Sequence, residues 1–256
     1  MKIKEIWACT PEQIAETQAG YQMAKVNQEG ISISDFITPR KKIYAESDNV
    51  AVISVTGSLT SNAPAIHEKL GNTTYESIKA ETDDAVEGGA RAIVYKINSG
   101  GGAVLGLQEV TSKIKGLDVP TYAFVDGVAC SAAYDIANAS DAIVSNPSSI
   151  SGNIGCVMAM IDSTGYMDSM GFKQVVLTNE GADLKGIGRE EMTDSQREFL
   201  QDQVNVMGEA FQGRVLAKRP DIDTEVFRAG WYDGEKSLEM GLIDGVGTFD
   251  QLLSRI

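Results

Sequence analysis

The chain has 256 residues, of which 43% are hydrophobic and 23% are charged, as in an ordinary globular protein. Its 22 basic and 36 acidic residues give a net charge of −14, which disfavours nucleic acid and anionic lipid as main partners. No apolar run approaches the roughly 20 residues of a membrane helix, and the N-terminus lacks the apolar core of a signal peptide. The three cysteines are odd in number and are not spaced as metal ligands. We therefore expect a cytoplasmic protein without disulfides.

The predicted elements divide the chain into an N-terminal extension or arm, residues 1–47, and one α/β domain, residues 48–256. The extension contains helix signals over 11–23 and a linker-like stretch over 31–47. From residue 49 onwards, strands alternate with helices, which indicates parallel βαβ units. Strands are predicted at 49–55, 91–97, 121–125, 141–144 and 174–178, and helices at 74–87 (capped by Thr73 and Glu76), 104–115, 132–139 and 194–216.

The only histidine of the chain, His67, lies in a polar stretch that we expect to be a surface loop. Any Ser-His-Asp, Cys-His or multi-histidine zinc mechanism would have to use this residue. The composition therefore disfavours all three mechanisms.

Three consecutive glycines, residues 100–102, are predicted to lie between the end of a strand and the start of a helix. Glycine lets the backbone approach a ligand closely, and successive N–H groups at a helix N-terminus can bind an oxyanion. No GKS or GKT sequence follows, and the spacing is not GxGxxG, so neither a P-loop nor a dinucleotide site is predicted. A tight turn without function is the alternative.

Ser131 follows the predicted strand 121–125 and precedes a predicted helix, which places its hydroxyl at the carboxyl edge of the sheet. Ligands bind at this edge in α/β folds. The small neighbours Ala132 and Ala133 leave room for a substrate backbone, although a serine that only caps the helix is the alternative. The adjacent Cys130 lacks a histidine or strong cation to stabilise a thiolate, so we interpret it as a buried structural residue.

A serine nucleophile needs a base, and because histidine is so scarce a neutral lysine is the remaining common choice. Lys185 lies near Leu184 and Ile187, a setting compatible with partial burial. The pKa of a free lysine is near ~10.4, and work at neutral pH requires burial to lower it by about 3. The alternative is a solvated lysine in a loop.

Six segments of the chain, in order through most of residues 49–252, together resemble peptidase family S49. This is the signal peptide peptidase A family of serine-lysine peptidases, and the similarity is greatest to its short phage members, the minor capsid or prohead proteases. The segments are AVISVTGSL, IVYKINSGGGAV, YAFVDGVACSAAYDIANASDAIVSNP, SISGNIGCVM, GADLKGIGREEMT and AGWYDGEKSLEMGLIDGVGTFD.

The resemblance implies an α/β fold of the ClpP/crotonase type, a spiral of ββα units, here with the N-terminal extension and C-terminal helices. It implies a serine endopeptidase with Ser131 as nucleophile and Lys185 as base. It also implies an oxyanion hole made by the backbone N–H groups of Gly101, Gly102 and Ala132, no metal or cofactor, and self-association into a tetramer or larger ring.

Three positions depart from the family pattern. Gly100 stands where the family often has proline, and Asn98 where aspartate is common, but neither change removes a catalytic side chain. Asn153 replaces a frequent serine that helps to orient the lysine. We therefore expect Ser151 or Asn153 to take that role here.

The similarity to phage members implies cleavage of scaffold or capsid protein during head maturation, in the host cytoplasm or inside proheads. No nucleic acid partner and no membrane anchor are expected. Three alternatives stay open: a cellular peptidase that degrades signal peptides, a crotonase-like acyl-CoA enzyme, and a non-catalytic ring-forming assembly protein of the same fold.

Overall fold

The computed structural model of the protein describes residues 7–8, 43–44, 49–64, 66–188 and 190–256. These residues form one sheet of ten strands, with helices packed against it. The helix predicted near the N-terminus lies outside the described residues.

The bounds of the elements are as follows. The strands are β1 (Trp7–Ala8), β2 (Ile43–Tyr44), β3 (Val50–Thr60), β4 (Thr73–Thr74), β5 (Ala92–Ala103), β6 (Thr121–Cys130), β7 (Ala142–Ser145), β8 (Ile150–Gly152), β9 (Trp231–Asp233) and β10 (Gly245–Val246). The α-helices are α1 (Ile66–Lys69), α2 (Tyr75–Glu87), α3 (Leu107–Lys115), α4 (Ala132–Ala139), α5 (Thr164–Ser169), α6 (Asp194–Lys218), α7 (Gly234–Glu239) and α8 (Phe249–Leu253). A 3-10 helix spans Thr224–Arg228.

The central strands are parallel, in the order β10-β7-β6-β5-β3, and β2 completes this order as an antiparallel edge strand. Strands β3 and β5 are apolar at consecutive positions because the sheet is covered on both faces. Ile53 and Tyr95 lie in the main core, with α2, α3 and α4, whereas Val52 and Val94 lie in a smaller core with α8. The predicted parallel α/β architecture is confirmed.

The three long strands change register part of the way along their length. The register shifts between Thr56 and Ser58 in β3, and between Ile97 and Ser99 in β5. Strand β6 pairs first with β7 and then, from Val128, with β8. Beyond the shifts the sheet continues as β4-β3-β5-β6-β8-β9, and this continuation carries the candidate site.

The strands therefore extend further than the sequence predicts, and residues 100–102 lie inside β5 instead of in a turn before a helix. Helix α3 begins at Leu107, not at residue 104. The physical reason is close strand approach: a Cβ on Gly102 would overlap the carbonyl oxygen of Leu59 in β3. Glycine is tolerated in a strand where another backbone comes this near.

Two further predictions are wrong in detail. Helix α2 is capped by Thr74, whose Oγ1 accepts a hydrogen bond from Ser77 N–H (3.1 Å), because Thr73 is bound to Thr56 of β3 through two hydrogen bonds of 2.8 Å. The strand predicted at 174–178 does not form, since the described residues 172–179 contain neither strand nor helix. No neighbouring strand pairs with this run.

Helices α4 and α6 bear most directly on the site. All eight residues of α4 are buried, as expected for a helix of small apolar residues packed on β5 and β6. Helix α6, predicted at 194–216, extends to Lys218, and only Phe211 and Val215 of its 25 residues are buried. Its first two turns and its middle therefore project from the core of this chain.

We expect Gly102→Ala to destabilise the fold by roughly 3 kcal/mol, because β3 and β5 would have to separate to admit the methyl group. Urea denaturation of the two proteins measures the difference. Gly245→Ala is the matched control, since nothing lies within 4 Å of the added Cβ in β10. Equal stability of the Gly102→Ala and Gly245→Ala proteins would show that the close approach of β3 and β5 is not a constraint.

Candidate active site

Ser131 lies at the junction of β6 and α4, at the carboxyl end of the sheet. Its N–H donates to the carbonyl of Gly152 in β8 (2.9 Å), and its own carbonyl accepts from the N–H of Asp135 (3.0 Å). Both backbone groups of the residue are therefore fixed by neighbouring elements. The predicted position at the sheet edge, directly before a helix, is confirmed.

The backbone of Ser131 is strained. Its φ of 54° and ψ of −124° lie in a region that favours glycine, and a residue with a side chain costs about 1–3 kcal/mol there. The hydroxyl makes no capping bond to α4, and Ser131 Oγ is buried without a hydrogen-bond partner among the described residues. A purely capping serine would bond the helix, so the geometry favours a hydroxyl held for reaction.

The glycine segment of β5 runs beside Ser131. Ser99, the residue directly before the three glycines, pairs with Ala129, two residues before Ser131. The N–H of Gly101 donates to Ser99 Oγ (3.1 Å), and Gly102 pairs with Leu59 of β3. Ala132 is the first residue of α4, where backbone N–H groups have no acceptor within the helix.

Lys185 lies in a run of turns, and its side chain is exposed, contrary to the predicted partial burial. Its backbone N–H donates to the carbonyl of Ala182 (3.0 Å). Because Ser131 Oγ has no partner, this chain does not place the Lys185 amine within hydrogen-bond distance of the hydroxyl. The predicted partial burial of Lys185 relied on packing against Leu184. The Leu184 side chain is itself 37% exposed, so it does not shield Lys185 from water.

Ser151 and Asn153 flank Gly152, the residue that accepts the Ser131 N–H. Ser151 is fully buried in β8, opposite Ala129, and its hydroxyl has no hydrogen-bond partner among the described residues. Asn153 has a positive φ of 51°, and its N–H donates to the carbonyl of Gly230 (2.7 Å). Both residues are directly next to Gly152, whose carbonyl accepts the Ser131 N–H. Their role in orienting a lysine stays a prediction.

The thiols near the site are held in their neutral form. Burial raises the pKa of Cys130 to about 12, which agrees with its interpretation as a structural residue. Burial also raises the pKa of Cys156, which is half-buried. Neither environment stabilises a thiolate at neutral pH.

The expectation that His67 is a surface-loop residue is wrong. The side chain is half-buried on α1, its Nε2 lies 3.3 Å from the carbonyl oxygen of Ser58, and burial lowers its pKa. It is held there because α1 packs against β4, the short strand that pairs with the end of β3. Since Ser131 Oγ has no partner, His67 is not hydrogen-bonded to it.

Comparison with known proteins decides the family. The sequence profile described as peptidase family S49 matches residues 113–256, more than half of the chain and including Ser131 and Lys185. The chain belongs to peptidase family S49.

Three relatives show the range of similarity of this S49-family chain. It is 30% identical over 183 residues to "Putative protease MJ0651" of Methanocaldococcus jannaschii, covering 69% of this chain and 57% of the relative. It is 29% identical over 227 residues to "Putative signal peptide peptidase SppA" of Enterococcus faecium (84% and 63% covered). It is 24% identical over 220 residues to "Capsid assembly protease C" of Escherichia phage lambda (80% and 48% covered). The S49 chain thus spans about half to two-thirds of the length of these relatives.

Sequence reasoning missed one charged residue of the S49 site. Asp135 is buried one turn after Ser131 and forms an ion pair with Arg214 of α6 (2.7 Å). The signal was present in the sequence, since Asp135 is the one charged residue in the largely apolar segment AAYDIANA. Its partner is 79 residues away along the chain, so the pair itself was not predictable.

Neither a cluster of metal ligands nor a membrane-spanning helix is present in the residue ranges that the structure describes. In those ranges, no three histidine, cysteine, aspartate or glutamate side chains come together as a set of metal ligands. Among the helices described, none combines the length and the apolar character needed to cross a bilayer.

We expect the Ser131→Gly protein to be more stable than the Ser131→Ala protein by about 1 kcal/mol, because glycine adopts the positive φ without strain and alanine does not. Both variants lack the hydroxyl, so the comparison isolates the backbone. Chemical denaturation of the two proteins measures the difference. A Ser131→Ala protein at least as stable as Ser131→Gly would show that the junction is not strained.

Proposed function

We propose that the protein is a serine endopeptidase in which Ser131 is the nucleophile and Lys185 the general base. One observation carries the proposal: in a chain of peptidase family S49, Ser131 has a strained backbone and a buried hydroxyl that nothing else uses. Strain of this kind is found where a side chain is held for reaction at a cost in stability.

In the proposed reaction, neutral Lys185 accepts the proton of Ser131 Oγ while the oxygen attacks a peptide carbonyl. The amine leaves, an acyl-enzyme forms, and water releases the acid product. Backbone N–H groups of Gly101, Gly102 and Ala132 bind the oxyanion, each worth about 3–4 kcal/mol in comparable sites. For Gly101 this requires exchange of its bond to Ser99 Oγ for a bond to the substrate.

The proposal requires Lys185 to leave solvent, and the exposed apolar side chains around it support such a change. Val175 and Leu177 are 76% and 90% exposed. Other large apolar side chains that are exposed in residues 157–199 are Val157, Ile161, Tyr166, Met167, Met170, Phe172, Leu184 and Phe199. We call residues 157–184 the apolar segment. Exposed apolar side chains in such number are typical of an interaction site.

We expect the apolar segment to be covered when copies of the chain associate into a tetramer or larger ring. The projecting part of α6, with Val206 61% exposed, would contribute to the same contact. Association would remove water from Lys185, and burial of this kind disfavours a charged amine. The site would then be complete only in the assembly.

The substrate we propose is scaffold or capsid protein, cleaved during phage head maturation in the host cytoplasm or inside proheads. Its support is similarity to phage proteins, among them the capsid assembly protease and, at 25% identity, the "Head-tail preconnector protein GP5" of Enterobacteria phage P21. A cellular peptidase that degrades signal peptides is the second candidate, because the similarity to the SppA protein of Enterococcus faecium is as strong.

The direct test is covalent labelling with a fluorophosphonate, followed by mass spectrometry of the modified peptide. We expect one adduct, on Ser131, and no adduct in Ser131→Ala. Lys185→Ala should lower the labelling rate at least a hundredfold, as loss of a general base does. Lys173→Ala is the matched control, because Lys173 is another exposed lysine and lies within the apolar segment that precedes Lys185, and it should label like the wild type.

Labelling that persists in Lys185→Ala at the wild-type rate would exclude Lys185 as the base. Absence of labelling in every protein, together with intact candidate scaffold protein after incubation, would favour the non-catalytic assembly protein. Binding of an acyl-CoA without labelling would favour the crotonase-like alternative.

A separate measurement tests assembly. We expect multi-angle light scattering to show four or more copies for the wild type, and fewer for Leu177→Asp, because a charge at this exposed position opposes burial at an interface. Leu238→Asp on α7, outside the apolar segment, should leave the assembly unchanged. A wild type that is monomeric at all concentrations would contradict the proposed ring.

A further inference from the structure

A buried ion pair lies directly beneath the candidate nucleophile. Asp135 is 1% exposed, and its Oδ2 accepts two hydrogen bonds from Arg214, one from Nε (2.9 Å) and one from a terminal nitrogen (2.7 Å). Its Oδ1 is buried without a partner in the described part of the chain. The guanidinium of Arg214 also lies over the ring of Phe211, 5.8 Å from its centroid.

The ion pair is connected to Ser131 through the backbone. The N–H of Asp135 donates to the carbonyl of Ser131 (3.0 Å), which is the first hydrogen bond of α4. The N–H of Ser131 is fixed by Gly152, and its hydroxyl has no hydrogen-bond partner within the described ranges. One of the two bonds that fix the strained residue therefore comes from Asp135.

The pair also joins two elements that differ in their packing. Helix α4 is wholly buried, whereas α6 is buried only at Phe211 and Val215 near its end. Asn138 of α4 adds a bond from its Nδ2 to the carbonyl of Arg214 (3.3 Å). The orientation of the first turn of α4 thus depends on where the last turns of α6 lie.

Stability alone does not explain a charge at this place. Removing a carboxylate from water is costly, and a buried ion pair is often no more stabilising than apolar residues of the same volume. Here one oxygen also stays without a partner, which adds to the cost. Burial raises the pKa of Asp135, while Arg214 and, through its charge, Lys115 lower it. The phenol of Tyr134 interacts with the charge of Asp135, and the half-buried thiol of Cys156 interacts with the charges of both Arg214 and Asp135.

We infer that Asp135 and Arg214 are positioning residues: together they hold the first turn of α4 so that the Ser131 hydroxyl keeps its reactive orientation. The inference rests on the proposed role of Ser131 as nucleophile. It adds that the position of α6 determines the orientation of the Ser131 hydroxyl, through the contact of Arg214 with Asp135.

The test measures the rate of Ser131 acylation by a fluorophosphonate as a function of its concentration, using the full chain. Asp135→Asn and Arg214→Gln should each lower the maximal acylation rate constant ten- to a hundredfold, roughly the effect of misplacing a reacting group by about 1 Å. The half-saturating concentration should not change, because neither residue contacts the probe. The double variant should be no slower than either single variant, since the two residues act as one unit.

Two further variants separate positioning from general support of the fold. Arg219→Gln is the matched control, because Arg219 also donates a hydrogen bond to α4, but at the far end of that helix, to Asn138 Oδ1 (3.2 Å). Like Arg214, it is paired with an aspartate, Asp244 (2.9 Å). It should lower the melting temperature and leave the acylation rate of the folded protein at the wild-type value. Arg214→Lys keeps the charge with a simpler donor, so it should retain more activity than Arg214→Gln.

Wild-type acylation rates in folded Asp135→Asn or Arg214→Gln, or an equal loss in Arg219→Gln, would overturn the positioning role while the proposed peptidase stands. A wild type that is not labelled at Ser131 would overturn both, because there would be no reactive hydroxyl to position.

Discussion

The conformation of Ser131 is the constraint on which the other features of the site depend. A serine with a φ of 54° is unfavourable by itself, and here its hydroxyl gains no hydrogen bond in return. The residue keeps this conformation because β8 holds its N–H, because Asp135 holds its carbonyl, and because every residue of α4 is buried behind it. The fold thus supplies the stability that the site itself lacks, as expected where a nucleophile is presented at a strand-to-helix turn.

The shift in register along β3, β5 and β6 explains where this junction lies. The first halves of these strands form an ordinary parallel sheet covered on both faces. Their second halves turn to pair with β4, β8 and β9, which brings the glycines of β5 and the Gly152 carbonyl beside Ser131. The match to peptidase family S49 covers this junction, and the chain spans about half to two-thirds of the relatives' length.

The sequence was sufficient to predict the parallel α/β fold, helix α4 and the placement of Ser131, because runs of β-branched residues and short alternating elements encode them locally. It could not predict that β5 continues through residues 100–102, since this depends on how closely Leu59 of a neighbouring strand approaches. The Asp135–Arg214 pair is equally non-local. The exposure of Lys185 was missed for a different reason: among the residues that the structure describes, the neighbouring Val175, Leu177 and Leu184 are not packed into a core.

The central claim is that the hydroxyl of Ser131 and the amine of Lys185 meet in the assembled protein. An experimental structure of the assembled particle, by crystallography or cryo-electron microscopy, measures the distance between Ser131 Oγ and Lys185 Nζ directly. We predict a separation of about 2.7–3.2 Å, within or between copies, with the apolar segment covered. A particle in which Lys185 stays in solvent and the Ser131 hydroxyl still has no partner would contradict the account.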